Sequence, residues 1–85
     1  MKFNIANYKG NYAMHCKTKE EAKDFCRYLD GLGRKWCDGE KYTENTCWDV
    51  YKDKTCYDFN DGTYDSLSYF EENGYTILEW SDFYE

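Results

Sequence analysis

The stretch that decides the fold is residues 18–32, which read TKEEAKDFCRYLDGL. Thr18 and Glu21 form a capping-box pattern, in which the hydroxyl accepts from the Glu21 N–H and the Glu21 side chain reaches back. Apolar residues then recur at helical spacing: Ala22, Phe25, Cys26, Leu29 and Leu32. We therefore predict an amphipathic helix over Lys19–Asp30 that is closed by Gly31 in a left-handed conformation.

Alternating runs around this helix predict a small sheet. The candidate strands are Phe3–Tyr8, Asn11–Cys16, Arg34–Cys37, Thr55–Asn60, Thr63–Phe70 and Tyr75–Trp80. Asp61-Gly62 between two such runs is a hairpin signal, and Asn73-Gly74 marks a further turn. The predicted fold class is α+β, with a small antiparallel sheet of four or five strands packed against one main helix. A shorter second helix is expected over Glu44–Tyr51, and residues 1–85 form a single domain.

Charge is divided unevenly along the chain. Eleven Lys and Arg and nine Asp and Glu precede Thr55, whereas eight acids and no Lys, Arg or His follow from that residue onward. The two segments carry formal charges of +2 and −8, which give the net charge of −6. A surface of one sign attracts cationic partners and repels nucleic acid and anionic membranes. We therefore expect no direct binding to nucleic acid or to a membrane.

Aromatic residues are interleaved with these carboxylates. This pattern favours a protein-binding surface, because Tyr and Trp can bury apolar area while their polar groups remain in contact with water. The predicted protein-binding residues are Asp58, Asp61, Asp65, Tyr69, Glu71, Glu72, Glu79 and Asp82. Carboxylates in such an array can imitate phosphates and occupy the basic groove of a nucleic-acid-binding protein. The alternative explanation is that the acids only keep an aromatic-rich chain in solution.

Cysteine spacing argues against a metal site. The five cysteines lie nine or more residues apart, so no pair has the C-x₂₋₄-C spacing of structural zinc sites. His15 is the single histidine, and no nearby glycine-rich turn indicates an oxyanion hole. The sequence contains neither of the glycine-rich phosphate-binding motifs. We therefore expect a non-enzymatic protein without metal or cofactor.

The first residues of the chain are polar, and their apolar stretch is too short for a signal peptide. No stretch approaches the roughly 20 apolar residues of a membrane span. We therefore expect a cytoplasmic protein with reduced cysteines. A homodimer would add buried area to a domain of this size.

Basic residues in the first half support an alternative function. Lys19, Lys23 and Arg27 share one helical face, and Tyr28 or Trp36 could supply a stacking surface. Together they could hold an anionic ligand, so the alternative is a sponge that binds a small nucleotide signal.

Three motifs give the chain a resemblance to known proteins. They are T-x-E-E-A at residues 18–22, G-x-x-W at residues 33–36 and G-Y-x-I-x-E-W-S-D at residues 74–82. Over about Asn11 to Phe83 the chain resembles small uncharacterised proteins of phages and prophages of Gram-positive bacteria. The resemblance implies an accessory protein that counters host defence in the bacterial cytoplasm, such as an anti-CRISPR protein that mimics DNA. It carries over no functional residue.

Overall fold

Strand β1, Tyr12–His15, is the inner strand around which the sheet is built in the computed structural model, which describes residues 3–83. It pairs antiparallel with β2 (Thr55–Asp58) and parallel with β4 (Thr76–Glu79). Strand β3 (Thr63–Ser66) pairs antiparallel with β2, which gives the order β3-β2-β1-β4. The predicted α+β class is confirmed. The sheet is mixed rather than antiparallel, because the last strand returns parallel to the first.

Both faces of β1 are covered, and the alternation predicted for it is confirmed. Met14 and Cys16 belong to the main core on one side of the sheet, whereas Ala13 belongs to a smaller core on the other side. All three side chains are fully buried. A strand with buried residues on both faces needs a layer above and a layer below the sheet.

Helix α1, Lys19–Gly31, forms the layer over the main core. The Thr18 hydroxyl accepts a hydrogen bond from the Glu21 N–H at 3.1 Å, and Glu21 Oε1 accepts one from the Lys17 N–H at 3.3 Å. The predicted cap is thus confirmed, although Glu21 reaches one residue further back than the cap itself. The buried stripe consists of Ala22, Phe25, Cys26 and Leu29. Leu32 is half exposed and lies outside the stripe.

The end of α1 lies later than the sequence predicted. Gly31 is helical, and the left-handed residue is Gly33, with φ of +77°. The Gly33 N–H donates to the Asp30 carbonyl and the Arg34 N–H donates to the Leu29 carbonyl. This pair of bonds is the Schellman pattern, which satisfies the last carbonyls of the helix.

Helix α3, Leu67–Glu72, replaces the second half of the strand predicted over Thr63–Phe70. Ser66 caps it by accepting from the Tyr69 N–H at 3.4 Å, and Phe70 is buried against Ala13 and Cys56. The helix therefore covers the face of the sheet opposite α1. It also carries the chain across β2 and β1 to the far edge, which is why β4 lies parallel to β1.

Two further predictions of strands were wrong, and the predicted second helix is shorter than expected. Phe3–Tyr8 contains a 3₁₀ turn at Ile5–Asn7, and Arg34–Cys37 contributes only a single bridge between Lys35 and Lys41 around the Asp38-Gly39 turn. Helix α2 is limited to Trp48–Tyr51. Cys47 is left-handed, with φ of +60°, and its N–H donates to the Asn45 side chain at 3.0 Å, so no helix can run through it.

Aromatic rings fill most of the main core. Phe3 packs edge-to-face on Phe25, Phe59 and Trp80 at centroid distances of 5.5–6.0 Å. The Trp80 indole N–H donates to the Asp24 carboxylate at 2.9 Å, which satisfies the polar end of the ring. The 3₁₀ turn Trp80–Asp82 is thereby tied to α1.

Gly62 should tolerate alanine worse than Gly74 does. Both have left-handed φ values, of +75° and +78°, so alanine adds backbone strain at either position. A Cβ at Gly62 would lie 2.8 Å from the Cys37 nitrogen, whereas one at Gly74 meets no atom within 4 Å. We predict that Gly62→Ala lowers the free energy of unfolding by about 1–3 kcal/mol more than Gly74→Ala, as measured by urea denaturation. Equal losses would show that the Gly62 backbone does not approach Cys37 closely.

Lys52 should be stabilised by replacement with glycine. Its backbone has φ of +53° and ψ of −122°, a strained combination for any residue with a side chain. Lys52→Gly relieves backbone strain of about 1–3 kcal/mol. It also raises the entropy of the unfolded chain, which costs about 0.5–1 kcal/mol of stability. Because the first effect is larger, a higher melting temperature is expected. Lys54→Gly is the control, because Lys54 has no positive φ, and it should lower the melting temperature. A lower melting temperature for both variants would contradict the strained geometry.

Candidate protein-binding surface

The outer side of α3 presents one aromatic ring and two carboxylates. Successive helical residues turn by about 100°, so burial of Phe70 against the sheet sends Glu72 away from it and places Tyr69 and Glu71 on the flanks. Tyr69 is 46% exposed, and Glu71 and Glu72 are exposed. Burial of Phe70 therefore fixes the orientation of the helix and leaves Tyr69, Glu71 and Glu72 exposed.

The β2–β3 hairpin adds carboxylates to the same side of the sheet. Asp65 is paired with Cys56, which lies beneath α3, and it is half buried. Asp61 is exposed at the hairpin turn, and its charge contributes to the raised pKa of Tyr75, a neighbour of Phe70. We call this group the acidic surface, and it consists of Asp61, Asp65, Tyr69, Glu71 and Glu72.

The charges of the acidic surface are not balanced within the fold. Within residues 3–83, none of its carboxylates forms an ion pair. Glu71 and Glu72 also occupy the last turn of α3, which contains no basic residue. The carbonyl end of a helix disfavours negative charge by about 0.3–1 kcal/mol for each group. The positions of these two glutamates therefore oppose the stability of the helix that carries them.

Asp58 was predicted on the binding surface, and that placement is wrong. Its exposed fraction is 2%, and its carboxylate accepts from the Tyr75 hydroxyl at 2.8 Å and from the Asp61 N–H at 3.0 Å. The hydrogen bond to Asp58 raises the pKa of Tyr75 to about 12, with burial as the second cause. The alternation of β2 puts Asp58 on the same face as Cys56, and this was the available signal that α3 would cover it.

Glu79 is used inside the fold. Its carboxylate lies 2.8 Å from His15 Nδ1, while His15 Nε2 lies 2.7 Å from the Asp53 carbonyl oxygen. A carbonyl oxygen can only accept, so Nε2 carries a proton and donates. His15 thus ties β4 to the turn before β2. Pairing with the only histidine was not predicted, because it depends on the parallel register that sets His15 beside Glu79.

Asp82 lies apart from the acidic surface. It belongs to the 3₁₀ turn Trp80–Asp82, which packs against α1 on the other side of the sheet. Of the eight residues predicted to bind a partner, the structure brings together the five of the acidic surface. Asp58 is buried, Glu79 is paired with His15, and Asp82 lies elsewhere.

The cysteines are free thiols, and three are fully buried. Burial raises the pKa of Cys26 and of Cys56 to about 12, so both thiols stay protonated near neutral pH. Both nitrogens of His15, the neighbour of Cys56 across the strands, are held by other acceptors. In the part of the chain that the structure describes, no three His, Cys, Asp or Glu side chains are grouped as metal ligands.

Comparisons with known proteins leave the chain without an assigned relative. No protein-family model, no curated protein and no solved structure matches it. None of the helices described within residues 3–83 has the length and apolar character of a membrane span.

The Asp58–Tyr75 bond should contribute to folding rather than to partner binding. Asp58→Ala leaves the Tyr75 hydroxyl and the Asp61 N–H without their acceptor, so we predict a loss of about 1–3 kcal/mol in the free energy of unfolding. Tyr75→Phe should cost less, because it removes only one donor. Tyr69→Phe is the matched control, since Tyr69 is half exposed, and it should leave urea denaturation unchanged. If Asp58→Ala unfolds at the same urea concentration as the wild type, the Asp58–Tyr75 hydrogen bond does not stabilise the fold.

Proposed function

We propose that this protein is a phage-encoded, non-enzymatic inhibitor of a host defence factor, of anti-CRISPR or similar type. Its acidic surface occupies a basic nucleic-acid-binding groove on the target and takes the place of the phosphates. The phage origin rests on the resemblance of residues 11–83, and the mode of action rests on the charge and exposure of the acidic surface.

The observation that carries the proposal is the placement of Glu71 and Glu72. Both are exposed at the carbonyl end of α3, and neither pairs with a base within residues 3–83. A purely solubilising role would be served by acids at any exposed position, including positions that do not oppose a helix dipole. Residues that oppose the stability of their own helix are typical of functional surfaces, where activity and stability conflict.

Tyr69 gives the same surface an aromatic contact. Its ring is 46% exposed and packs edge-to-face on Phe70 with centroids 5.3 Å apart, so it is held by a buried neighbour. Exposed tyrosines of fixed orientation are enriched at interfaces, because they bury area at a small loss of side-chain entropy. The mimic therefore combines carboxylates, which steer a basic partner, with one ring that can pack against it.

Charge neutralisation tests the proposal without loss of shape. The test variant combines Asp61→Asn, Asp65→Asn, Glu71→Gln and Glu72→Gln. We predict a melting temperature close to that of the wild type, because removal of two unfavourable charges at the carbonyl end of α3 offsets the loss of the Asp65 charge just before its N-cap, together with a loss of target inhibition on the order of tenfold or more. Stability is measured by thermal denaturation, and inhibition by phage plating on a Gram-positive host with an active CRISPR defence.

The matched control removes the same amount of charge elsewhere, through Glu20→Gln, Asp30→Asn, Glu44→Gln and Asp53→Asn. These residues lie outside the acidic surface and are exposed or half buried. The control should inhibit like wild type, because position rather than net charge is proposed to matter. Full inhibition by the folded test variant, or equal loss in both variants, would reject the mimic.

A shallow groove supports the second candidate, a nucleotide sponge. It encloses about 390 Å³ between α1 and residues 43–46, and its charged lining residues are two bases, Lys23 and Arg27, and two acids, Glu44 and Asp49. The stacking residues expected for such a site are not available there. Neither Trp36 nor Tyr28 is among the residues that line this groove. Thermal stabilisation of the purified protein by mono- or dinucleotides, abolished by Lys23→Gln with Arg27→Gln, would favour the sponge.

A further inference from the structure

A second groove lies beside the hairpin turn that carries Asp61. It encloses about 430 Å³ between the Asp38-Gly39 turn and the start of β3. Its lining includes two aromatic residues, Trp36, which is 7% exposed, and the half-buried Tyr64, and its charged lining residues are Asp38 and Glu40. Lys35 and Lys41, which bridge across the same turn, are not among the lining residues.

The aromatic walls are held in place before any ligand arrives. The Trp36 indole N–H donates to the Asn45 carbonyl at 2.8 Å, and the ring packs on Tyr42 with centroids 4.4 Å apart. Tyr64 meets Trp36 edge-to-face at 5.5 Å. A ligand that enters this groove therefore meets fixed rings, and little side-chain freedom is lost on binding.

The carboxylates give the groove a negative field. Asp38 accepts from the Glu40 N–H at 3.0 Å, which fixes the turn that carries both acids. Cys47 also lines the groove, and burial raises its pKa. The charges of Glu40 and Asp38 raise it further, so both carboxylates act on the groove wall that Cys47 forms.

We propose that this groove receives an arginine side chain of the basic partner. Aromatic residues and carboxylates around one cavity complement a cation, because an aromatic ring can attract it and the carboxylates can pair with it. Arginine fits better than lysine, since a guanidinium is planar, stacks on rings, is weakly hydrated and can bind a carboxylate through two N–H groups. The inference rests on the proposed function, because it names a contact that the acidic partner-binding side would make.

The groove and the acidic surface meet at the hairpin turn. Gly62 lines the groove, directly follows Asp61, and accepts through its carbonyl from the Cys37 N–H at 3.0 Å. A partner that approaches Asp61 is therefore close enough to place a long side chain in the groove. The acidic surface would steer the partner, and the groove would fix its register.

Nuclear magnetic resonance titration with ethylguanidinium chloride tests the groove directly. We expect saturable shifts of the Trp36 indole N–H and of the Tyr64 and Cys47 amides, with weaker binding of ethylammonium chloride. Asp38→Asn with Glu40→Gln should reduce the affinity about tenfold, while its amide spectrum stays dispersed as in wild type. The control, Asp30→Asn with Glu44→Gln, removes the same charge outside the groove and should bind like wild type.

Several results would overturn this assignment. They are the absence of saturable shifts at the groove, equal binding by the Asp38→Asn/Glu40→Gln variant, and equal affinity for the two cations. The proposed function is judged separately by phage plating. Full inhibition by the groove variant would reject the groove contact and leave the acidic surface standing. Absence of saturable shifts at the groove of the wild type, together with full inhibition by the variant neutralised at Asp61, Asp65, Glu71 and Glu72, would reject both.

Discussion

Pairing of β1 with two neighbours of opposite direction is the constraint on which the rest of the molecule depends. Because β1 is an inner strand with buried residues on both faces, the chain must supply cover on each side. Helix α1 covers the face that carries Met14, and α3 covers the face that carries Ala13. The crossover that brings β4 beside β1 also places α3 over the face that carries Ala13. The order of the strands and the position of the acidic surface are therefore fixed together.

This arrangement separates carboxylates that are hydrogen-bonded inside the fold from carboxylates that are exposed. Asp58 and Glu79 lie on strands and are held by Tyr75 and His15. Glu71 and Glu72 lie on the outer side of α3 and find no base within residues 3–83. A hydrogen-bonded buried carboxylate stabilises a fold, whereas unpaired exposed ones repel one another. The long acidic segment therefore contains two kinds of carboxylate, and only the exposed kind belongs to the proposed binding surface.

Sequence reasoning succeeded where the signals are local. The cap at Thr18, the stripe around Phe25 and the Asp61-Gly62 turn were all predictable, because each depends on neighbours in the chain. The α3 helix was not, because Tyr69 and Phe70 favour strands and the switch at Ser66 serves a long-range crossover. Burial of Asp58 follows from that missed helix. The groove at Trp36 could not be predicted either, since it requires Gly62 to meet the Cys37 backbone.

The carboxylates around α3 form no ion pair within residues 3–83, and the salt dependence of stability measures the repulsion between them. Urea denaturation between low and high sodium chloride should show the free energy of unfolding of the wild type rising, as salt screens the repulsion. The rise should be clearly smaller for Glu71→Gln with Glu72→Gln. A free energy of unfolding that falls with salt, or an identical rise in both proteins, would show that other charges of the protein balance these carboxylates.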